Sequence, residues 1–129
     1  MTFPDRTTSK TFVSSVQALY TQLGGFDGID WDSFEGATPD TTEIIWMSQQ
    51  LKSIYPGFMI TVPPAPWNDV DMTFCSEMAS ADALDYCAPQ YYDGPGLAEQ
   101  SRGAFDWQID IDYSMGWPFA TQVGPLVNP

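Results

Sequence analysis

Histidine is absent from the 129 residues, which carry only two cysteines, Cys75 and Cys87, and four lysines and arginines. The missing imidazole excludes a Ser-His-Asp triad, a Cys-His pair and any zinc site with a histidine ligand. Four basic residues against 17 Asp and Glu give a net charge of −13. The basic footprint that nucleic acid, anionic lipid or phosphorylated ligands need is therefore lacking, and a neutral partner fits better. Long apolar runs are lacking too. No stretch approaches the roughly 18 to 20 residues of a membrane span, and "MTFPDRTTSK" has neither the apolar core nor the cleavage pattern of a signal peptide. The expectation is a soluble chain with no nucleic-acid and no membrane partner, made inside a cell or cut from a longer precursor. The spacing of the two cysteines leaves a disulfide open, and two buried free thiols are the plainer reading. What chemistry remains must run on carboxylates, tyrosines and amides.

There is enough apolar material for a core, since 43% of residues are hydrophobic and 15% aromatic. The length suits a single domain spanning residues 1–129, well below the roughly 250 residues typical of a closed eight-stranded α/β barrel. Phe12, Val13, Val16, Leu19, Tyr20 and Leu23 recur at helical spacing, with Gly24-Gly25 as a stop. "FDGIDWDS" follows with the period of a strand. In "TPDTTEIIWMSQQLKSIYPG", Asp40 and Glu43 resemble a capping box, Ile44, Met47, Leu51 and Ile54 form a stripe, and Pro56-Gly57 ends the helix. "FMITVPPAP" reads as a second strand. Asn68 or Asp69 can cap a third helix carrying Val70, Phe74, Met78 and Ala81, and "ALDYCAPQYYD" reads as a third strand before Gly94-Pro95-Gly96. A last strand-like run, "GAFDWQIDIDY", has no recognisable helix before it. Alternating helices and strands with short connections predict a parallel sheet covered by helices, the α/β class.

Polar and acidic residues cluster where these strands should end: Asp30, Asp32 and Glu35, then Pro66 to Asn68, then Gln90 to Asp93. Parallel α/β sheets place ligands at the carboxyl ends of their strands, so the clusters predict one shared site. Asp30 and Asp32 are two apart and should point to the same side, where mutual repulsion favours protonation of one of them or hydrogen bonding of both. A carboxyl kept protonated near neutral pH can act as a general acid. Solvated strand-end carboxylates, or caps of the following helix, are the plain alternative. A calcium loop fits poorly, because its ligands alternate with Gly at the sixth position, whereas Ile29 and Trp31 intervene here.

"FDGIDWDSFEG" resembles the fourth-strand signature of family 18 glycoside hydrolases, Asp-Gly-hydrophobic-Asp-hydrophobic-Asp-x-Glu. "ITVPPAPW" and "APQYYDGPG" are similar, in the right order, to the fifth-strand Thr-Ala-Ala-Pro run and the sixth-strand Gln-hydrophobic-Tyr-Asn run of the hevamine-like, class III chitinase branch. "RGAFDWQID" resembles the last strand, where a Trp floors the sugar site. The resemblance runs from about Phe12 onward and implies a partial or derived (β/α)8 TIM barrel, corresponding to strands four to six and the last strand. Two departures stand out. The position of the motif's Glu is held by Phe34, with Glu35 one residue late; a β-bulge at Ser33 or Phe34 would restore its phase. Segments for strands one to three and seven are missing. Open sheet edges should then lead to self-association, swapping or instability, as expected of a fragment, a spliced product or a segment of a larger protein.

The resemblance implies hydrolysis of β-1,4-linked N-acetylglucosamine glycans, chitin or chitooligosaccharides, by a substrate-assisted retaining mechanism with no cofactor and no metal. Carried over by position, Glu35 is the acid and base, Asp32 orients the acetamido group, and Asp30 sits behind Asp32 and shares its proton. Tyr92, assisted by Gln90, bonds the acetamido oxygen, Trp107 offers an apolar face to the ring, and Asp93 either binds a sugar hydroxyl or makes the turn before Gly94. The family is secreted. A catalytically inactive, lectin-like glycan-binding remnant is the alternative, because Phe34 occupies the expected Glu position.

Overall fold

The computed structural model describes residues 2–32, 38–65 and 67–90. Helix α1 (Arg6–Leu23) begins at Asp5, whose carboxylate accepts from the Thr8 N–H at 2.8 Å and so satisfies one of the unpaired amides of the first turn. It ends at Gly24, whose φ of 78° is left-handed and cheap only without a Cβ. Val13 and Val16 are buried, but Leu19 and Leu23, expected in the same stripe, are 50% and 67% exposed. Leu19 stands off the face that buries Ser9, Val13 and Val16, and Leu23 is the last residue of the helix. Eighteen residues of helix extend about 27 Å, whereas the strands beneath are three and four residues long, about 10 to 14 Å. At the overhanging end Tyr20 turns inward instead, stacking on Tyr55 at 4.0 Å and approaching Phe26 at 5.2 Å.

Strand β1 (Gly28–Asp30) leads to α2 (Thr41–Ile54), strand β2 (Met59–Val62), helix α3 (Asp69–Ser80) and strand β3 (Tyr86–Cys87). The strands lie in the order β1-β2-β3, all parallel, with Gly28, Ile29 and Asp30 opposite Met59, Ile60 and Thr61, and with Thr61 and Val62 opposite Tyr86 and Cys87. The α/β class read from the sequence is what forms. Ile60 and Val62 are buried beneath the helices with Ile44, Met47, Leu51, Phe74 and Met78, whereas Met59 on the other face is 41% exposed. Each such apolar side chain contributes about 1.5 to 3 kcal/mol on burial. The last run, 103–113, lies outside the described residues.

The expected capping box at α2 does not form. Asp40 makes no side-chain cap bond and instead accepts from the Phe3 N–H at 2.7 Å. Glu43 accepts from Arg6 in a two-pronged pair at 2.9 and 3.1 Å and from the Ser9 hydroxyl at 2.6 Å. A guanidinium outbids a backbone amide for a carboxylate, and these bonds from Arg6 and Ser9 hold the Glu43 carboxyl below its ordinary range. Both acids thus tie the amino-terminal segment and α1 to α2, with Arg6 also 4.3 Å above the Trp46 ring. Helix α3 is capped as expected, by Asn68, which accepts from the Val70 N–H at 3.0 Å. Before β3, Asp85 accepts from Lys52 and from the Ile60 N–H, both at 2.7 Å. Burial works to raise its pKa, but these two donors outweigh it and leave the carboxyl below its usual value.

Close approach of β1 to β2 depends on Gly28, because a Cβ there would stand 2.0 Å from the Met59 carbonyl oxygen. Only backbone could yield. Gly28→Ala is therefore expected to destabilise more than Gly24→Ala, where nothing lies within 4 Å and only the φ of 78° is penalised. Denaturant midpoints check this: about 1 to 3 kcal/mol or more for position 28 against about 1 to 2 for position 24, and the reverse order would contradict the packing.

Candidate functional site at the strand ends

The parallel order sends the carboxyl ends of the strands to one edge of the sheet. One residue beyond β1, the Trp31 N–H still donates to the Thr61 carbonyl at 2.8 Å, so the ladder continues. Its indole is buried at 6% exposure on the helix side. There its Nε1–H donates to Ser48 Oγ at 2.9 Å, and its ring lies edge-on to Phe3 at 5.9 Å and tilted against Phe12 at 5.2 Å. With Trp31 fixed inward, strand alternation turns Asp30 and Asp32 outward, and both are exposed.

Each acid receives a donor from another strand. The Thr61 hydroxyl donates to Asp30 Oδ1, which its register position opposite Asp30 allows. The Gln90 amide donates from Nε2 to the Pro63 carbonyl at 2.7 Å and, at a longer 3.5 Å, to Asp32 Oδ1. Gln90 is only 8% exposed, and its own N–H is bonded to the Pro64 carbonyl at 2.9 Å, which carries the pairing of the third strand past β3. Asp32 and Gln90, 58 positions apart in the chain, are thereby neighbours. A buried carboxamide held at Nε2 cannot rotate freely, so the residue that follows β3 offers the Asp32 carboxylate a fixed donor.

Asp30, Asp32 and Gln90 are thus brought to one edge, as their places at the strand ends led one to expect. Asp30 is engaged by Thr61. Glu35, Tyr92, Asp93 and Trp107 lie outside the described residues. Sequence reasoning missed Thr61 and the Pro63 carbonyl. Thr61 was detectable in principle, since it shares a face with Asp30 once β1 and β2 are paired in register; the carbonyl carries no signature in the sequence. What the edge offers chemically is an exposed pair of carboxylates, hydrogen-bond acceptors that a neutral hydroxyl and a neutral amide steady. A separate groove of about 450 Å³ lies between the start of α2 and α3, lined by Thr38, Thr41, Asp69, Thr73, Phe74 and Glu77 among others, and includes none of these strand-end residues. Compared with protein-family models, curated proteins and solved structures, the chain matches none of them.

Replacing Gln90 by Glu removes the Nε2 donor from Pro63 and Asp32 and sets a second carboxylate beside Asp32. The expected outcome is a loss of about 1 to 3 kcal/mol of stability in thermal or denaturant unfolding at neutral pH, partly recovered in acid as the new carboxyl protonates. An unchanged unfolding curve would mean that Gln90 does not hold this edge.

Proposed function

We propose that the chain is a glycoside hydrolase of the family 18 type, cleaving β-1,4-linked N-acetylglucosamine glycans with retention by a substrate-assisted route. The observation that carries the reading is the meeting of Asp32 and Gln90 at the carboxyl edge of a parallel sheet, two residues drawn from separate motifs of the resemblance. The arc β1-β2-β3, in sequential order with its helices over the buried face, supports assigning it to strands four to six of a (β/α)8 barrel.

In this mechanism Glu35 protonates the leaving glycosidic oxygen, and the substrate's own acetamido carbonyl attacks the anomeric carbon. Asp32 orients the acetamido N–H and stabilises the positive charge that develops on the ring so formed. Asp30, with Thr61, supports Asp32 from behind. Tyr92 donates to the acetamido oxygen, Trp107 floors the ring, and Asp93 reaches a hydroxyl. Glu35 then returns as base to activate water. The acidic surface suits this neutral substrate, a secreted location follows the family, and the edges of β1 and β3, the outer strands among the described residues, provide for self-association.

Phe34 at the expected position of the acid supports a second reading, a glycan-binding remnant without turnover. Hydrolysis of a fluorogenic chitooligosaccharide, with binding followed in parallel, separates the two. Turnover that falls by about two to four orders of magnitude in Glu35→Gln is the expected result. Binding without turnover favours the remnant, and neither turnover nor binding would remove both readings.

A further inference from the structure

Cys75 and Cys87 lie in one helix–strand interface, and neither is in a disulfide. Cys75 is on α3 between the buried Phe74 and Met78, at 6% exposure. Cys87 is opposite Val62, whose side chain is buried beneath the helices, so alternation sends the Cys87 side chain to that same face at the edge of the sheet. The two thiols are near enough to influence each other's ionisation. Against the expectation of two buried thiols, Cys87 is exposed, because β3 pairs with β2 on one side and has no further strand beside it among the described residues.

We propose that Cys75 and Cys87 form a dithiol oxidation site that small-molecule disulfides convert to an intramolecular disulfide, with Cys87 as the attacking thiol and Cys75 as the resolving one. The asymmetry follows from position. Hydrogen bonding with Cys87, then burial, then the charge on Cys87 and last the Asp71 carboxylate push the Cys75 thiol up, while hydrogen bonding with Cys75 draws Cys87 down to about 7 against the effect of burial. A thiol at about 7 is on the order of tenfold more ionised at neutral pH than an ordinary cysteine.

In the first step the Cys87 thiolate attacks one sulfur of the disulfide, forming a mixed disulfide and releasing one thiolate. In the second, Cys75 gives up its proton and displaces the other half, so that protein dithiol plus one disulfide yields protein disulfide plus two thiols. Both side chains belong to the helix-covered face of the sheet, so the second step takes place within one interface. The cross-link fastens α3 to the strand that continues, three residues later, into Gln90. The site is independent of the proposed hydrolase chemistry.

The test is exposure of the reduced full chain to glutathione disulfide, followed by intact mass and thiol alkylation. Expected are a loss of two hydrogens with no retained glutathione and the disappearance of both alkylatable thiols. Cys75→Ala should retain one glutathione at Cys87, and Cys87→Ser, altered at an exposed position, should react at least tenfold more slowly than wild type. Two retained glutathiones, a cross-chain dimer, or equal rates for wild type and Cys87→Ser would overturn the proposal. The wild-type and Cys87→Ser results decide it even if Cys75→Ala fails to fold.

Discussion

Hydrogen bonding of the four-residue strand β2 to a parallel neighbour on each side is the constraint on which the rest depends. Its buried side chains, Ile60 and Val62, share one core with the buried residues of the helices, while its backbone fixes the levels of β1 and β3 relative to each other. From that alignment it follows that Asp30 meets Thr61 and that Asp32 comes within reach of Gln90. Neither contact is local. Each exists because two strands separated by a helix end at the same height, which is the general reason that parallel sheets gather function at their carboxyl edge.

Packing below the sheet determines what the edge presents above it. Trp31 is the pivot: its indole is bound by Ser48 and enclosed by Phe3 and Phe12, so its flanking acids have no choice but the open face. Phe3 itself is held by the Asp40 carboxylate, and α1 by Glu43. The acids of the α2 start, which a helix could have used for its own cap, are spent on keeping the amino-terminal segment over the Trp31 pocket. Positioning of Asp30 and Asp32 thus reaches back through a chain of contacts to the first residues described.

Most of the element order was legible in the sequence because stripes such as Ile44, Met47 and Leu51 and stops such as Gly24 act locally. Alternation in "GIDWD" was equally legible, and it correctly set Trp31 against its two acids. Illegible were the partners chosen across space. The preference of Glu43 for Arg6 and Ser9, the Thr61 hydroxyl on Asp30 and the Pro63 carbonyl on Gln90 depend on which strands pair and at what register, information that no window of sequence contains. The exposure of Leu19 and Leu23 was likewise hidden, because the stripe drawn at helical spacing is wider than the face that buries Ser9, Val13 and Val16.

Whether the strand-end edge is the place where a glycan docks is tested most directly by following backbone amide shifts of the isotopically labelled chain during titration with chitotetraose. The result expected is saturable perturbation concentrated at Asp30, Trp31, Asp32, Thr61 and Gln90. Perturbation confined to the groove between α2 and α3, or no perturbation at all, would contradict it.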